Sequence, residues 1–422
     1  MGCINNCDPK QSKKCFRCSF VAIYTLLAVV YQVPIPISYK LFGGLDIVIR
    51  KVHLVVCLCN ILSNWIFFIL DVISFIVAIP MLFEAMKIVP LIKVLSDDIL
   101  HLQKEILGQN PYFKLIIVTC FTVRFAAGKS VFFIKSFSKK MWKDIDQSWM
   151  KMMNLLSDAE REELHVYIRK LFWKIYVIMI FSIFLTLYIF LKLTGLNHQI
   201  AILFPENAML VILGVITLFF FVSITWICSI LYLYCVSRVI SRLFDKINAS
   251  IESMMNNEIT MDALYLIHDK HQMLSELVLN VDRIFNIYIF VVYFTSIPEC
   301  CIALYCYLFP SEDTSPDLLL LCITFALLAF LSVALSAAEV ANSAHSTYDY
   351  LCDLFINETT SEQQSKILLL LERLSGPKIG LSCLELFVVT RSSIVNVIGM
   401  TATYFLTIIQ FRGVSQSVTG HR

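Results

Sequence analysis

The chain has 422 residues, of which 58% are hydrophobic and 16% charged, and its mean hydropathy is +0.75. A soluble globular protein carries about 25% charged residues, so this composition excludes that class. The net charge of +2 gives no strong field for nucleic acid, and no nucleic-acid motif is present, so no nucleic-acid partner is expected.

Seven long apolar segments can each cross the ~30 Å of bilayer hydrocarbon as a helix of roughly 20 residues. These segments are 53–83, 112–137, 171–194, 206–237, 284–309, 317–340 and 387–411. They hold 12 charged residues, whereas an even distribution along the chain would place about 29 there. The sequence therefore predicts an all-α membrane protein with seven transmembrane helices in the lipid bilayer.

An eighth apolar segment, 20–37, contains Pro34 and Pro36 in its last third. Proline removes a backbone donor and interrupts a helix, so this segment is predicted to be re-entrant or interfacial, although a full crossing stays open. The domain organisation predicted is an amino-terminal segment 1–52, a transmembrane domain 53–411 and a short tail 412–422.

Orientation follows from lysine and arginine, which stay on the cytosolic side. With seven spans, one set of connecting segments carries 22 of these residues and the alternate set carries 5. This asymmetry predicts a cytosolic amino terminus and an extracellular carboxyl terminus. The two glycosylation sequons, at Asn248 and Asn357, fall on the cytosolic side and are expected to stay unmodified.

Apolar residues continue beyond the ends of several spans at spacings of three and four, as in 238–254, 264–281 and 367–374. Such spacing is typical of amphipathic helices. Once these helices leave the bilayer, their apolar faces must cover one another or another subunit. The pattern predicts a cytosolic helical bundle and favours an oligomer.

Cysteines and histidines give two weaker signals. The amino-terminal segment holds a cysteine cluster that leaves zinc binding and acylation both open: Cys3, Cys7, Cys15 and Cys18. His268 and His271 lack an evident third ligand, and we interpret them as part of a solvated helix face. No metal or other cofactor is expected.

A neutral polar stripe follows one side of the last predicted span. Its members are spaced by three or four residues: Ser393, Asn396, Met400, Thr403, Thr407 and Gln410. Such side chains can hydrogen-bond between packed helices, the commoner role by spacing alone. Alternatively, copies from several subunits can surround an aqueous pathway, with Met400 as a hydrophobic constriction and Gln410 as a polar ring near the outer mouth.

Charged residues inside predicted spans are costly and need partners. Glu299 follows Pro298, and a kink beside a carboxylate fits a ligand pocket, a gating hinge, or an ion pair with Arg124 or Lys129. Glu339 and Arg391 are predicted to form ion pairs between helices. Aromatic residues at suitable depth in the outer halves of the spans are further ligand candidates, chosen by depth alone: Trp65, Tyr188, Trp226, Tyr293, Tyr305 and Tyr307.

Residues 403–411, Thr-Tyr-Phe-Leu-Thr-Ile-Ile-Gln-Phe, resemble the signature of insect gustatory receptors, in which Thr-Tyr and Gln-Phe enclose five mostly hydrophobic residues. Thr407 is a mild departure. The resemblance implies a homotetrameric or heterotetrameric ligand-gated cation channel in the plasma membrane of sensory neurons. It also implies that the last helices line the pore, with Gln410 and Phe411 at the gate and with Thr403, Tyr404 and Thr407 supporting or lining the helix below.

Phe405 occupies the place where the sweet-sensing subgroup of that family has glutamate directly after Thr-Tyr. This departure argues against sugars of that subgroup. A bitter plant compound is the favoured tastant, and a fructose-type stimulus stays open.

Three other classes fit the sequence less well. A G-protein-coupled receptor also has seven helices, but its amino terminus is outside, and its Asp-Arg-Tyr and Asn-Pro-x-x-Tyr motifs are missing. A secondary transporter would show internal repeats and helices broken by glycine, and the chain has 12 Gly. No catalytic spacing or phosphate-binding loop indicates an enzyme.

Overall fold

The structure is a computed structural model. It describes residues 139–194, 208–255, 260–308, 316–356, 360–376 and 378–419. The predicted spans 53–83 and 112–137, the segment 20–37, the amino-terminal cysteine cluster and the sequon at Asn357 all lie outside the described residues.

Seven helices and one short hairpin make up the described part of the chain. In chain order they are α1 (Lys139–Leu155), α2 (Asp158–Thr194), α3 (Ala208–Met255), α4 (Met261–Leu308), α5 (Pro316–Ile356), α6 (Ser361–Ser375), β1 (Ser382–Cys383), β2 (Phe387–Val388) and α7 (Arg391–Thr419). The strands are antiparallel, with Ser382 opposite Val388 and Cys383 opposite Phe387. The prediction of a helical protein is confirmed for these residues, and the hairpin is an addition to it.

The predicted extensions of the spans are helical. Residues 238–254 continue α3 without a break, and 264–281 form the first half of α4, which runs on through Pro298. Within the described residues, two stretches are long and apolar enough to cross a membrane, Met261–Tyr305 in α4 and Leu319–Asp353 in α5. Both are far longer than the roughly 20 residues a bilayer requires, so each helix extends beyond one apolar layer.

The helix corresponding to the last predicted span has different bounds from those expected. Residues 387 and 388 belong to β2, and α7 begins at Arg391 and continues to Thr419, into the segment predicted as a tail. Hydropathy does not distinguish Phe387 and Val388 from helical residues, because a short apolar strand and a helix look alike in composition.

The long helices pack into one bundle, whose main interfaces join α3 to α5, α4 to α5, α2 to α3 and α1 to α4. The largest fully buried side chains are Trp149, Tyr232, Phe244, Phe285 and Tyr288. Many apolar side chains of the helical extensions are thus covered within the chain, whereas Leu279, Leu368 and Leu369 stay exposed.

A polar network joins α3 to α5. The Nδ2 group of Asn248 donates to the carbonyl of Ser343 at 3.0 Å and to Oγ of Ser346 at 2.8 Å, and Thr347 Oγ1 donates to Asn248 Oδ1 at 2.6 Å. One turn away, the hydroxyls of Ser241 and Ser343 are 2.7 Å apart. Asn248 is 5% exposed, so a glycan on this sequon would have no room.

Ion pairs also link the helices. Glu339 of α5 pairs with Arg238 of α3, which agrees with the expected pairing between helices. Arg391 is exposed at the first turn of α7. On α2, Glu163 accepts from Lys246 at 2.8 Å.

Helix α2 begins with a capping box. The backbone N–H of Ser157 donates to Glu160 Oε2 at 2.7 Å, and the backbone N–H of Glu160 donates to Ser157 Oγ at 3.3 Å. This reciprocal pair satisfies donors that the first turn leaves without intrahelical partners. Lys270 of α4 lies 3.3 Å from the other carboxylate oxygen of Glu160, which ties the start of α2 to α4.

The interpretation of His271 as solvated is wrong. Its side chain is 1% exposed, and its ring lies 5.4 Å from the ring of Phe244. The reason is helical periodicity, because His271 falls on the same face of α4 as the buried Leu264, Ile267 and Leu274. His268 is partly buried, and its Nδ1 lies 3.3 Å from Oδ1 of the exposed Asp269.

Candidate functional site

Helix α7 begins at a defined point because Thr390 and Ser393 cap it reciprocally. The backbone N–H of Thr390 donates to Ser393 Oγ at 2.8 Å, and the backbone N–H of Ser393 donates to Thr390 Oγ1 at 3.2 Å. The arrangement is that of a capping box, with serine in the position of the usual Glu or Gln. Ser393 thus fixes the start of the helix, and the polar stripe proper begins at Asn396.

The hairpin before α7 is tied to α4. Asp282 of α4 accepts from the backbone N–H of Ser382 at 2.6 Å and from its hydroxyl at 2.7 Å. The turn places Leu384 and Glu385 at φ 51° and 59°, in the left-handed region that side chains seldom adopt. Tertiary contacts hold this turn in place, since the backbone N–H of Leu384 donates to the carbonyl of Asn286 at 3.2 Å.

Along its length, α7 contacts its own chain through a single narrow face. Ile394 is buried, and Val397, Thr401, Phe405 and Ile409 are partly buried. These residues recur at spacings of three and four, so they form one row along the helix. Most of the remaining helix surface is exposed in the isolated chain.

The predicted polar stripe lies on the side of α7 that faces away from this row, given 100° of rotation per residue. Its members from Asn396 to Gln410 are exposed, with Met400 at 56%. The described bundle does not cover the stripe, so it does not serve as packing glue inside this part of the chain. Phe411 lies on the same helix, but its side chain is outside the described part of the structure.

The threonine hydroxyls of the stripe hydrogen-bond to their own helix. Thr403 Oγ1 donates to the carbonyl of Gly399 at 3.0 Å, and Thr407 Oγ1 donates to the carbonyl of Thr403 at 2.9 Å. Each hydroxyl hydrogen is therefore already used. These two side chains can therefore only accept further hydrogen bonds, through the lone pairs of their hydroxyl oxygens.

The other predicted site residues are spread over the fold. Tyr188 is 54% exposed on α2, whereas Tyr293 is 4% exposed on α4. Glu299 is fully buried on α4, and its suggested partners, in the segment 112–137, lie outside the described residues. Trp226 belongs to α3, and its side chain is outside the described part of the chain.

Two adjoining cavities lie beside α7. The larger, of about 370 Å³, lies between α4, α5 and α7, and Ser296, Cys300, Phe330 and Phe405 help to line it. The smaller, of about 270 Å³, lies between α4, the hairpin and α7. Its lining includes Tyr293, Phe387, Met400 and Tyr404 among other residues.

The walls of these cavities are mostly apolar and carry few groups that could donate or accept a proton. Burial raises the pKa of the Cys383 thiol, in the wall of the smaller cavity, to about 11, so this thiol stays neutral at pH 7. No group of three or more His, Cys, Asp or Glu side chains in the described ranges is placed to hold a metal ion. The arrangement suits binding of a neutral molecule.

Sequence reasoning missed the cavities and the hairpin anchor. The periodicity of α7 identifies the row of Val397, Thr401 and Phe405, but it does not say which helices lie opposite. Asp282 and Ser382 are separated by a hundred positions along the chain. Sequence spacing gives no signal for a contact of that kind.

Comparison with known proteins places the chain among chemosensory receptors. The sequence profile described as 7tm Chemosensory receptor matches residues 108–413. No curated protein matches the chain significantly in sequence.

Two solved structures share the fold, both of the olfactory receptor OR5 from the insect Machilis hrabei. The complex with eugenol aligns with a TM-score of 0.64 and 14% identity, covering 93% of this chain and 97% of that one. The structure determined without it aligns with a TM-score of 0.66 and 14% identity, covering 94% and 98%. With the profile matching most of its length, the chain belongs to the 7tm chemosensory receptor family.

Proposed function

We propose that this chain is an insect gustatory receptor that works as a ligand-gated, non-selective cation channel, with α7 from each subunit lining a central pore. The observation that supports this proposal is the polar stripe on α7, which the chain leaves exposed on the side away from its own packed row. Polar groups at this spacing either hydrogen-bond to a neighbouring helix or face water, and the described part of this chain places no helix against them. Around a shared axis, the same groups would face water.

The length and charge of α7 agree with a pore-lining role. Between Arg391 and Arg412 the helix has no Asp, Glu, Lys or Arg. That uncharged stretch of roughly 20 residues rises ~30 Å at 1.5 Å per residue, the thickness of bilayer hydrocarbon. The proposal places seven spans in residues 53–411, the amino-terminal segment 1–52 in the cytosol and the tail 412–422 outside.

Ion selectivity follows from the side chains of the stripe. Asn396, Thr403, Thr407 and Gln410 are neutral, and the signature positions Gln410 and Phe411 form the gate region in this proposal. Without a ring of carboxylates, the pore would discriminate poorly among monovalent cations, and some divalent passage is expected. Met400 would form the hydrophobic constriction.

The assembly proposed is a homotetramer, or a heterotetramer with related receptors, in the plasma membrane of sensory neurons. The stimulus proposed is a small tastant, with a bitter plant compound preferred and a fructose-type stimulus as the alternative. Phe405 replaces the glutamate of the sweet-sensing subgroup, which argues against the sugars of that subgroup alone. Olfactory receptor OR5 of Machilis hrabei was solved with eugenol, so binding of a small organic molecule is compatible with this fold. Binding would favour the open arrangement of α7 by its higher affinity for that state.

Cysteine accessibility on α7 tests the pore. The receptor is expressed in oocytes, a compound panel identifies an agonist, and Thr407→Cys and Val395→Cys are compared before and after a positively charged methanethiosulfonate reagent. Both positions are exposed, but Val395 lies off the polar stripe and lines neither cavity. We expect the reagent to abolish most of the current through Thr407→Cys and to leave Val395→Cys close to the unmodified receptor.

Gln410→Ala and reversal potentials complete the experiment. Gln410→Ala should change conductance or gating while the protein still reaches the surface. Equal block at both cysteine positions, or currents that ignore every substitution in the stripe, would show that α7 does not line the pathway. Strong anion selectivity would refute the cation channel itself.

A further inference from the structure

The two cavities beside α7 meet along one side of the helix. They share Ile297 of α4 and Val397 and Thr401 of α7 as lining residues. Individually they measure about 370 and 270 Å³. Ligand pockets for small molecules span roughly 300–1,000 Å³, so the combined space is of that size.

The chemistry of the walls selects a neutral, mostly apolar occupant. Among the described residues, no Asp, Glu, Lys or Arg lines either cavity. The hydroxyl of Thr401 already donates to the carbonyl of Val397 at 2.7 Å. A charged ligand would lose its hydration without compensation here, because burying an unpaired charge is costly.

One polar group in these walls, the hydroxyl of Tyr293, lacks a hydrogen-bond partner among the described residues. Tyr293, whose side chain is 4% exposed, lines the smaller cavity. Its ring packs against Phe330 and Phe387, with centroids 4.8 and 6.2 Å away. Its hydroxyl is buried and has no hydrogen-bond partner among the described residues. Buried hydroxyl groups are normally satisfied, so this one calls for a partner from outside the chain.

We infer that the joined cavities form a binding site for a small uncharged molecule with an apolar body and a single hydrogen-bonding group, which pairs with the hydroxyl of Tyr293. This site lies between α4, α5, the hairpin and α7. Because α7 forms one wall, an occupant bears directly on the position of that helix. That last consequence depends on the proposed channel function, whereas the binding itself does not.

A protection assay tests the binding without any current. Full-length receptor in membranes is alkylated with N-ethylmaleimide in the presence of thymol or p-cymene, two compounds that differ by one hydroxyl. Cys300 is partly buried in the wall of the larger cavity, and Cys352, also partly buried, lies outside both lining sets. Mass spectrometry reads the extent of alkylation at each cysteine.

We expect thymol to protect Cys300 at concentrations about 2- to 12-fold lower than p-cymene, the range that one added neutral hydrogen bond produces. Alkylation of Cys352 should be unchanged by either compound. In Tyr293→Phe the advantage of thymol should disappear or reverse, because its hydroxyl then has no partner in the cavity. In Ala402→Phe, which puts a ring into the larger cavity, both should protect less.

Tyr293→Phe also has a signature that a structural tyrosine would not show. Removing a hydroxyl that has no partner should raise the melting temperature of the unliganded receptor, whereas removing a hydrogen-bonded one would lower it. A lower melting temperature, equal protection by both compounds in the unsubstituted receptor, or protection of Cys352 together with Cys300 would each overturn the site. So would protection that appears only after phospholipid is stripped, since the occupant would then be a lipid acyl chain.

Failure of the channel proposal gives a different result. Protection at Cys300 together with strong anion selectivity, or with currents that no substitution in the stripe changes, would leave the binding site standing and remove the proposed cation pore. Agonist currents with no protection by thymol and no effect of Ala402→Phe would leave the channel and remove the site.

Discussion

The network around Asn248 supports a quantitative prediction, because every partner of its side chain is defined. Asn248→Ala removes three hydrogen bonds between α3 and α5. The carbonyl of Ser343 still accepts a hydrogen bond from the hydroxyl of Ser346 at 2.9 Å. The hydroxyl of Thr347, a residue that is 1% exposed, loses its acceptor. One buried unsatisfied hydroxyl costs about 1–3 kcal/mol and a lost neutral hydrogen bond about 0.5–1.5 kcal/mol, so the expected loss of unfolding free energy is about 2–4 kcal/mol.

At roughly 2–4 °C per kcal/mol, this loss lowers the melting temperature by about 4–16 °C. Fluorescence-detected size-exclusion chromatography after heating measures it on the detergent-solubilised receptor. Ser250→Ala is the matched control, because it destroys the same sequon while its hydroxyl bonds only to its own helix, at the carbonyl of Lys246. We expect that control to melt within about 2 °C of the unsubstituted receptor.

Two outcomes would refute the reasoning. Equal melting temperatures for Asn248→Ala and Ser250→Ala would mean that the network contributes nothing. A double-mutant cycle with Thr347→Val offers the second check, since side chains that share a hydrogen bond should couple by about 0.5–3 kcal/mol. Strict additivity would show that Asn248 acts through other contacts.

The glycines beside and within α7 should respond oppositely to alanine. A Cβ at Gly380 would lie 2.6 Å from Cγ1 of Val388, so Gly380→Ala should destabilise the fold by about 1–3 kcal/mol. A Cβ at Gly399 would meet nothing within 4 Å, so Gly399→Ala should stabilise its helix by up to ~1 kcal/mol. Thermal melting of the two variants measures both, and the same sign for both would contradict the packing described for the hairpin. Glu160 gives a pH dependence: burial alone would raise its pKa, but hydrogen bonds from the capping serine and the charge of Lys270 outweigh burial and hold the pKa below its ordinary 4.5. Its contribution to stability is therefore present above pH 4.5 and lost as the pH falls below that value, so the melting-temperature gap between the receptor and Glu160→Gln should shrink on acidification. A gap that stays constant down to pH 3 would argue against the ionised carboxylate.

Much of the fold follows from local patterns. The spacing of apolar residues from 238 to 281 predicts the continuous helices α3 and α4, because helical periodicity survives beyond the bilayer. The expected ion pair at Glu339 exists because a charged residue near an apolar span needs a partner. Spacing also predicts that α7 has a polar side, but not that this side is exposed, because spacing alone favours hydrogen bonding between packed helices.

Other features depend on distant contacts and could not be predicted. Leu384 and Glu385 have no local preference for left-handed backbone, and the anchoring of Ser382 by Asp282 imposes their conformation. His271 falls on the apolar face of α4, but the residue that covers its ring, Phe244, belongs to another helix. The cavities exist only once α4, α5 and α7 are placed together.

The hydrogen bonds of the Thr403 and Thr407 hydroxyls to their own helix decide which kind of ion these side chains could contact. Their hydrogens point along the helix to backbone carbonyls, so the oxygen atoms facing outward can accept but not donate. Water molecules around a cation present their oxygen lone pairs to it, and these two hydroxyl oxygens can do the same. An anion would meet methyl groups and lone pairs there, and replacing threonine with valine would remove the oxygens while keeping the shape.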